Sequence, residues 1–235
     1  MIVWIHGFPL SSRVFSKQNV LPGFAPDLPG FGTAAASPEE MTMDDYARHV
    51  LAAMDARKID KAFLAGLSMG GYICFAIARI APERMKGLIL IDTRETPDTA
   101  EAKKGRYETI EKVKAKGVSV VVDGMLPKML TPQAPPALVT EARQIMMSSS
   151  QTGVTAALKA MAERPDSTET LRAISVPTLI VVGDADTITP PADAQRMASL
   201  APNATLVTIK HAAHLSNMEQ PDQFNKAVET FRAVR

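Results

Sequence analysis

The chain has 235 residues, which is long enough for one large α/β domain with a sizeable core. Its formal charge is +1 with no block of like charges, so nucleic acid and acidic membranes are not expected partners. No segment reaches the roughly 18 consecutive apolar residues of a membrane span, and the N-terminus lacks the features of a signal peptide. The sole cysteine, Cys74, cannot form an internal disulfide, so we expect a cytoplasmic protein.

The first part of the chain predicts two short strands and one helix. Residues 2–5 form an apolar, β-rich run that ends at His6, and residues 24–32 indicate a short strand followed by a Pro/Gly turn. Thr42 and Asp45 resemble a capping box at the start of a helix. The apolar residues of this helix recur at helical spacing, namely Met43, Tyr46, Ala47, Val50 and Met54.

The later strands are longer and almost continuously apolar. Such runs suit a parallel sheet that is covered by helices on both faces. We predict strands at residues 62–67, 85–92, 177–184 and 204–209, and helices at residues 70–79 and from Pro221 onward.

Strands that alternate with helices predict a doubly wound α/β sheet. Residues 94–172 are the exception, since they contain several helix-like segments separated by Gly, Pro or Ser and no clear strand. A structureless loop of that length is improbable in a compact domain, so we interpret this segment as a helical cap insertion. The α/β core then consists of residues 1–93 and 173–235.

Ser68 stands where a predicted strand ends and a predicted helix begins. The segment from Gly66 to Gly70 satisfies the pattern G-x-S-x-G. A nucleophile raised above a sheet needs a sharp, strained turn, and side chains two residues to either side would crowd that turn. The N-terminus of the following helix favours developing negative charge. We therefore predict that Ser68 is a nucleophile, with a glycine-rich turn without chemistry as the alternative.

A serine nucleophile needs a base and an orienting carboxylate. His211 and His214 follow the last predicted strand, where a loop can reach back over the carboxyl edge of the sheet. His6 comes too early in the chain and His49 lies within a predicted helix, so we expect structural roles for both. The carboxylates at strand ends share one edge of the sheet, so position alone does not choose among Asp27, Asp92, Asp184 and Asp186.

These features together resemble the α/β-hydrolase family, whose triad follows the order Ser, Asp or Glu, His. The resemblance implies that Asp186 rather than Asp184 is the acid and that His214 rather than His211 is the base. It rests on five segments in the expected order, "HGFP" (6–9), "DLPGFG" (27–32), "GLSMGG" (66–71), "GDADTITP" (183–190) and "HLSNMEQPDQF" (214–224).

The sequence departs from the family pattern in three places. The chain starts at what resembles the family's third strand, so we expect a mostly parallel sheet of about six strands with the first β-hairpin missing. The edge left less covered is a candidate contact for a homodimer. Ala212 and Ala213 replace the usual glycines, and alanine disfavours positive φ. Asp92 ends the strand that carries the acid in some relatives, so it is the second candidate.

The resemblance implies a serine hydrolase that cleaves carboxylic esters of small or aromatic substrates through an acyl-enzyme. The backbone N–H groups of Phe8 and Met69 would form its oxyanion hole. Other possible activities are an enol-lactonase or other lactone hydrolase, a perhydrolase, and a carbon–carbon bond hydrolase, and a non-catalytic ligand-binding protein is the remaining alternative. The mechanism requires no cofactor, and no His, Asp or Glu group has convincing spacing for a metal.

The predicted cap supplies candidates for the substrate pocket. Methionines at helical spacing fill gaps in cores, and they can also form an adaptable apolar wall. Arg94 follows a strand end, where it can meet a substrate carboxylate or form a surface salt bridge. The candidate pocket residues are Arg94, Met125, Leu126, Met129 and Leu215.

Overall fold

The computed structural model describes residues 1–36 and 38–233. Its six strands pair in parallel and form one sheet in the order β2-β1-β3-β4-β5-β6. The first strand along the chain lies inside the sheet, and β2 and β6 are its two edges. The strands are β1 (Ile2–Ile5), β2 (Gly23–Phe24), β3 (Ala62–Leu67), β4 (Met85–Ile91), β5 (Thr178–Gly183) and β6 (Ala204–Ile209).

Helices connect the strands and cover both faces of the sheet. Two short 3₁₀ helices, Ser12–Gln18 and Pro82–Arg84, supplement the α-helices. The α-helices are α1 (Met43–Asp55), α2 (Met69–Ile80), α3 (Ala100–Lys116), α4 (Ser119–Met129), α5 (Pro136–Met147), α6 (Gln151–Ala162), α7 (Thr168–Ala173), α8 (Pro191–Leu200), α9 (Ser216–Glu219) and α10 (Pro221–Ala233).

The sheet is buried because its central strands carry apolar side chains on both faces. Leu64 of β3 belongs to the core on the face of α1, α2 and α8, whereas the adjacent Phe63 belongs to the core on the face of α10. This alternation follows from the two-residue period of a strand. The prediction of a doubly wound α/β sheet with helices on both faces is therefore confirmed.

The predicted elements agree closely with those of the structure. Thr42 caps α1, and its side chain and that of Asp45 exchange the reciprocal hydrogen bonds of a capping box. The short strand expected at the start of residues 24–32 is the two-residue strand Gly23–Phe24, which begins one residue earlier and pairs with β1. Prolines at positions 26 and 29 cannot donate to a ladder, so the chain turns away from the sheet there.

Residues 94–172 form helices α3 to α7 and contain no strand. They contact the core beside β1, where the Ser149 hydroxyl donates to the Pro9 carbonyl and the Ser150 N–H donates to the Gly30 carbonyl. The boundaries of a separate cap domain stay a prediction. Within residues 1–36 and 38–233, no helix has both the length and the apolar character needed to span a membrane.

Candidate active site

A strained turn holds Ser68 between β3 and α2. Its backbone has φ 53° and ψ −113°, a region that residues other than glycine seldom occupy. A Cβ at Gly66 would lie 2.3 Å from the Gly70 carbonyl oxygen, and a Cβ at Gly70 would lie 2.1 Å from the Ile5 carbonyl oxygen. Both glycines are therefore required by close backbone contact, as the sequence pattern predicts.

Hydrogen bonds from the neighbouring strand fix the backbone of this turn. The Ser68 N–H donates to the Ile91 carbonyl at 2.9 Å, and the Thr93 hydroxyl donates to the Ser68 carbonyl at 2.7 Å. Met69 is the first residue of α2, so its N–H has no acceptor within the helix. The turn therefore presents a fixed serine beside a free helix N-terminus.

The loop after β1 passes directly against Ser68. A Cβ at Gly7 would lie 3.1 Å from the Ser68 Cβ, so the main chain that leads to Phe8 runs beside Ser68. His6 shapes this loop, because its Nε2 accepts from the Leu28 N–H at 3.0 Å and its Nδ1–H donates to the Gly7 carbonyl at 2.9 Å. Burial lowers the pKa of His6 to about 4, so the ring is neutral and retains this bonding pattern.

Asp186 lies in the turn after β5, and three donors hold its carboxylate. Oδ1 accepts from the Ile188 N–H at 2.7 Å and the Thr189 N–H at 3.0 Å, and Oδ2 accepts from the Thr189 hydroxyl at 2.7 Å. Burial acts to raise the pKa of this carboxyl, but the charge and hydrogen bond of His214 and the hydrogen bonds of Thr189 together outweigh burial, so the pKa lies below its usual value. Asp186 is therefore ionised at neutral pH.

His214 faces Asp186 from the loop after β6. Its Nδ1 lies 2.8 Å from the Asp186 Oδ2, and the ring is fully buried. Burial is the largest single effect and favours the neutral ring, but the charge and hydrogen bond of Asp186, together with the charge of Asp92, outweigh it and raise the pKa of His214. Nε2 is buried and has no hydrogen-bond partner in the part of the chain that the structure describes. The ring thus has one fixed nitrogen and one nitrogen available to a reacting proton.

Asp92 lies at the end of β4 and is equally buried, but its oxygens have other partners. Oδ1 accepts from the Gly183 N–H at 2.8 Å, and Oδ2 lies 2.5 Å from the Ser216 hydroxyl that donates to it. Burial and the nearby charge of Asp186 raise its pKa to about 8. The hydrogen bond to His214 Nδ1 belongs to Asp186, so the geometry favours Asp186 over Asp92 as the orienting carboxylate.

The other sequence candidates lie away from this cluster or have structural roles. His211 is exposed, and it has the positive φ of this loop at 59°, so neither alanine before His214 needs that conformation. Asp184 is exposed and accepts from the Ala212 N–H at 3.3 Å. Across the described ranges, no group of three or more His, Cys, Asp or Glu side chains has an arrangement that could hold a metal ion.

Asp27 lies in the loop after β2 and His49 lies on α1, and their hydrogen bonds join these segments rather than the acid–histidine pair. Asp27 accepts from the Ser12 N–H and from the Thr33 N–H and hydroxyl. Burial acts to raise its pKa, but these hydrogen bonds lower it below its usual value. His49 Nε2 lies 3.1 Å from the Asp27 carbonyl oxygen. Asp27 therefore connects the segment that follows Phe8 to the loop after β2, and His49 connects that loop to α1.

Four of the five pocket candidates form one apolar cluster. Met129 and Leu215 are buried in it, and Met125 and Leu126 pack against it with partial exposure. Arg94 lies elsewhere, because its Nε is 3.4 Å from an oxygen of Asp193 and its guanidinium also donates to the Ile188 carbonyl. The positive charge of Arg94 still reaches His214 and acts to lower its pKa.

Three polar residues to which the sequence assigned no role hold Asp186, Asp92 and the histidine loop. Thr189 donates to the Asp186 carboxylate, and Ser216 donates to Asp92. Glu219 accepts from the Ala213 N–H at 2.7 Å, directly before His214. A hydroxyl three residues after Asp186 and a glutamate five residues after His214 are visible in the sequence, but spacing alone does not show which groups these side chains contact.

A family model described as alpha/beta hydrolase fold matches residues 1–221. The chain belongs to this family. A thermophilic esterase from Thermogutta terrifontis, solved with malate bound, is 37% identical with a TM-score of 0.96, over 99% of this chain and 89% of that one. The structure of an enol-lactonase from Burkholderia xenovorans LB400 is 25% identical with a TM-score of 0.91, over 99% of this chain and 90% of that one.

A curated relative also carries a lactonase name. The 3-oxoadipate enol-lactonase 2 of Acinetobacter baylyi is 29% identical over 206 residues, which are 86% of this chain and 75% of that protein. The resemblance to an esterase- and enol-lactonase-like α/β hydrolase is therefore confirmed. Membership of this family, together with these relatives, supports a hydrolase.

Proposed function

We propose that this protein is a serine hydrolase of small carboxylic esters. One observation carries the proposal: Nδ1 of His214 is fixed by Asp186, which leaves Nε2 free at the sheet edge where the strained turn presents Ser68. A base held in one tautomer activates a serine hydroxyl that comes within hydrogen-bond distance of its free nitrogen. In this structure Nε2 makes no hydrogen bond to Ser68, so the proposal requires that contact to form with substrate bound.

The proposed reaction proceeds through an acyl-enzyme. Ser68 Oγ attacks the ester carbonyl carbon while Nε2 of His214 takes the hydroxyl proton. The carbon–oxygen bond to the leaving alcohol then breaks, and the imidazolium returns the proton to that oxygen. Water repeats both steps and releases the carboxylic acid. Asp186 stabilises the imidazolium throughout without taking its proton.

Two backbone donors are proposed to stabilise the tetrahedral oxyanion. The Met69 N–H begins α2 and has no helical acceptor, and the main chain of Phe8 follows the glycine that packs against Ser68. Such donors typically contribute about 10²–10³ in turnover when one is removed. The buried ring of Phe8, which packs edge-on with Phe31 at 6.5 Å, keeps this loop in place.

An aryl acetate assay tests the proposal. Ser68→Ala should abolish release of the phenol above the uncatalysed rate, because the hydroxyl that forms the acyl-enzyme is gone. Ser199→Ala is the matched control, since its exposed hydroxyl donates to the Arg196 carbonyl within α8. Equal phenol release by Ser68→Ala and the parent would remove Ser68 from the mechanism and overturn the proposal.

A lactone is the second candidate substrate, and the names of two relatives favour it. The same triad would open a cyclic ester, and Arg94 lies close enough to affect His214 electrostatically. The discriminating measurement compares kcat/KM on simple esters, on a neutral lactone and on a carboxylate-bearing lactone. A preference for the carboxylate-bearing lactone that Arg94→Ala removes, with the neutral lactone unaffected, would favour the lactonase.

The remaining alternatives have less support. Perhydrolysis, carbon–carbon bond hydrolysis and non-catalytic binding share this fold, and no contact described above favours them over ester hydrolysis. The cytoplasmic location and the homodimer expected from the sequence stay predictions.

A further inference from the structure

The backbone N–H groups of both residues next to His214 make hydrogen bonds. The Ala213 N–H donates to Oε2 of Glu219 at 2.7 Å. The Leu215 N–H donates to the carbonyl of Met129, the last residue of α4, at 2.9 Å. The Ala213 N–H belongs to the peptide unit one residue before the histidine, and the Leu215 N–H belongs to the unit directly after it, so the main chain is held on both sides of His214.

Glu219 uses its second oxygen to bind the segment after α4. Oε1 accepts from the Thr131 N–H at 2.9 Å and from the Thr131 hydroxyl at 2.6 Å. A single partly buried carboxylate therefore connects the residue before His214 to the residue two positions beyond α4. Hydrogen bonds to an ionised carboxylate are roughly twice as strong as neutral ones, so this connection is stiff.

Apolar packing joins the same two segments. Met129 at the end of α4 and Leu215 beside His214 are both buried in one cluster. Met125 and Leu126, two of the pocket candidates, lie on α4 and pack against that cluster. The helix that carries the predicted apolar wall and the loop that carries the predicted base are thus held together as one unit.

We propose that Glu219 is a positioning residue, which sets His214 by clamping its loop to the end of α4. This inference rests on the proposed function, since it assigns Glu219 a part in the activity of His214. It follows that α4 and the histidine loop move together, so substrate does not enter between them. It also follows that loosening the clamp lowers kcat, because His214 is misplaced, and leaves KM nearly unchanged, because the apolar wall still binds the substrate.

Glu219→Gln is the direct test. The Gln side chain keeps one acceptor oxygen, but its amide nitrogen is a donor and faces either the Ala213 N–H or the two donors of Thr131. Glu95→Gln is the matched control, since Glu95 is a more deeply buried carboxylate that binds Arg196 through two hydrogen bonds far along the chain from this loop.

We expect Glu219→Gln to reduce kcat about 10- to 100-fold with little change in KM, because misplacement of a catalytic group by about 1 Å has effects of this size. The acidic limb of the kcat/KM profile should also shift, and so should the downfield proton resonance of His214 Nδ1–H. The charged groups that act on this ring are Asp186, Asp92 and Arg94, and none of them is altered. Glu95→Gln should keep the parental kcat and profile.

Thr131→Val and Thr131→Ser test the clamp if Glu219→Gln does not fold. Valine removes the hydroxyl donor, so Thr131→Val should lower kcat by a smaller factor than Glu219→Gln. Serine keeps the donor, so Thr131→Ser should have the parental kcat. A folded Glu219→Gln or Thr131→Val protein with parental kcat, profile and Nδ1–H resonance would overturn the inference. Loss of activity in Ser68→Ala alongside that result would leave the proposed function intact, so the two failures are distinguishable.

Discussion

The carboxyl ends of β4 and β5 each carry a buried aspartate, yet the two aspartates have opposite properties. Asp186, after β5, has a pKa below its usual value, because His214 and the donors of Thr189 overcome the effect of burial. Asp92, at the end of β4, has a pKa raised to about 8 by burial and by the charge of Asp186. Ionising both of two neighbouring carboxyl groups in one buried site costs free energy, because their like charges repel.

The difference shows what selects an orienting acid. Burial is nearly the same for both aspartates, so burial does not decide between them. The hydrogen bond to the imidazole decides between them, since only Asp186 bonds to Nδ1 of His214. Asp92 instead connects the end of β5 to the histidine loop through Gly183 and Ser216. One aspartate therefore carries a charge for the proposed chemistry, and the other joins two loops.

Asp186→Asn should give the largest effect. The amide cannot orient and charge-stabilise the imidazole as the carboxylate does, so kcat should fall by about 10⁴ at neutral pH. Loss of the negative charge also lowers the pKa of His214, which moves the acidic limb of kcat/KM to lower pH. Steady-state kinetics on an aryl acetate across the pH range measures both changes.

Asp184→Asn is the matched control for that variant. Asp184 is exposed and lies two residues earlier in the same turn, so its variant should retain parental kinetics. A larger loss of activity in Asp184→Asn than in Asp186→Asn would contradict the assignment of Asp186 as the orienting acid. So would a loss of about 10⁴ that Asp92→Asn alone produces.

Thr189→Val should give an intermediate effect. It removes the hydroxyl that donates to Asp186 Oδ2 at 2.7 Å, and a hydrogen bond to a charged group contributes about 1.5–3 kcal/mol. We expect a kcat loss of about tenfold, since each 1.36 kcal/mol corresponds to that factor. Thr187→Val, at an exposed position in the same turn, should leave kcat unchanged. Equal kinetics for the two variants would show that this donor does not support the acid.

Asp92→Asn should have the smallest effect on rate, within about threefold of the parent at neutral pH, which is below 1 kcal/mol. Below its raised pKa, Asp92 is already neutral. An amide oxygen can still accept from the Gly183 N–H, and the Ser216 hydroxyl can turn to accept from the amide N–H that takes the place of the carboxyl proton. The informative readout is therefore the free energy of unfolding, measured by urea titration between about pH 5 and about pH 8.

The sign of that pH dependence follows from the raised pKa. From the usual value of 3.8 up to about 8, the folded protein holds a proton at Asp92 that the unfolded chain has released. The contribution of this group to stability is therefore present at low pH and is lost as pH rises through the window. Asp92→Asn should gain stability relative to the parent as pH rises. A constant difference between the two proteins would contradict the raised pKa.

Much of the fold was predictable because it depends on local patterns. Continuous apolar runs predicted β3 to β6 within a residue or two, and Thr42 with Asp45 predicted the start of α1. The extent of β2 was not predictable, since prolines after Phe24 and pairing with β1 decide it. The helices of residues 94–172 were expected, but their hydrogen bonds to Pro9 and Gly30 depend on tertiary contact.

The candidate site was predictable only in part. The glycines around Ser68 reveal the strained turn because close backbone contact requires them. The choice of Asp186 and His214 came from resemblance, since residues alone left Asp92 and His211 open. The pairing of Arg94 with Asp193 and the hydrogen bonds of Glu219 to Thr131 join segments far apart in sequence, so no local pattern indicates them.

The most direct test of the central claim is a mass spectrum after treatment with a serine-directed phosphonate. The account predicts one adduct per chain, mapped to Ser68, with activity lost in proportion to labelling. Asp186→Asn should label far more slowly, because His214 is no longer held to take the serine proton. Full labelling at another residue, or complete loss of activity with Ser68 unmodified, would contradict the claim that Ser68 is the nucleophile.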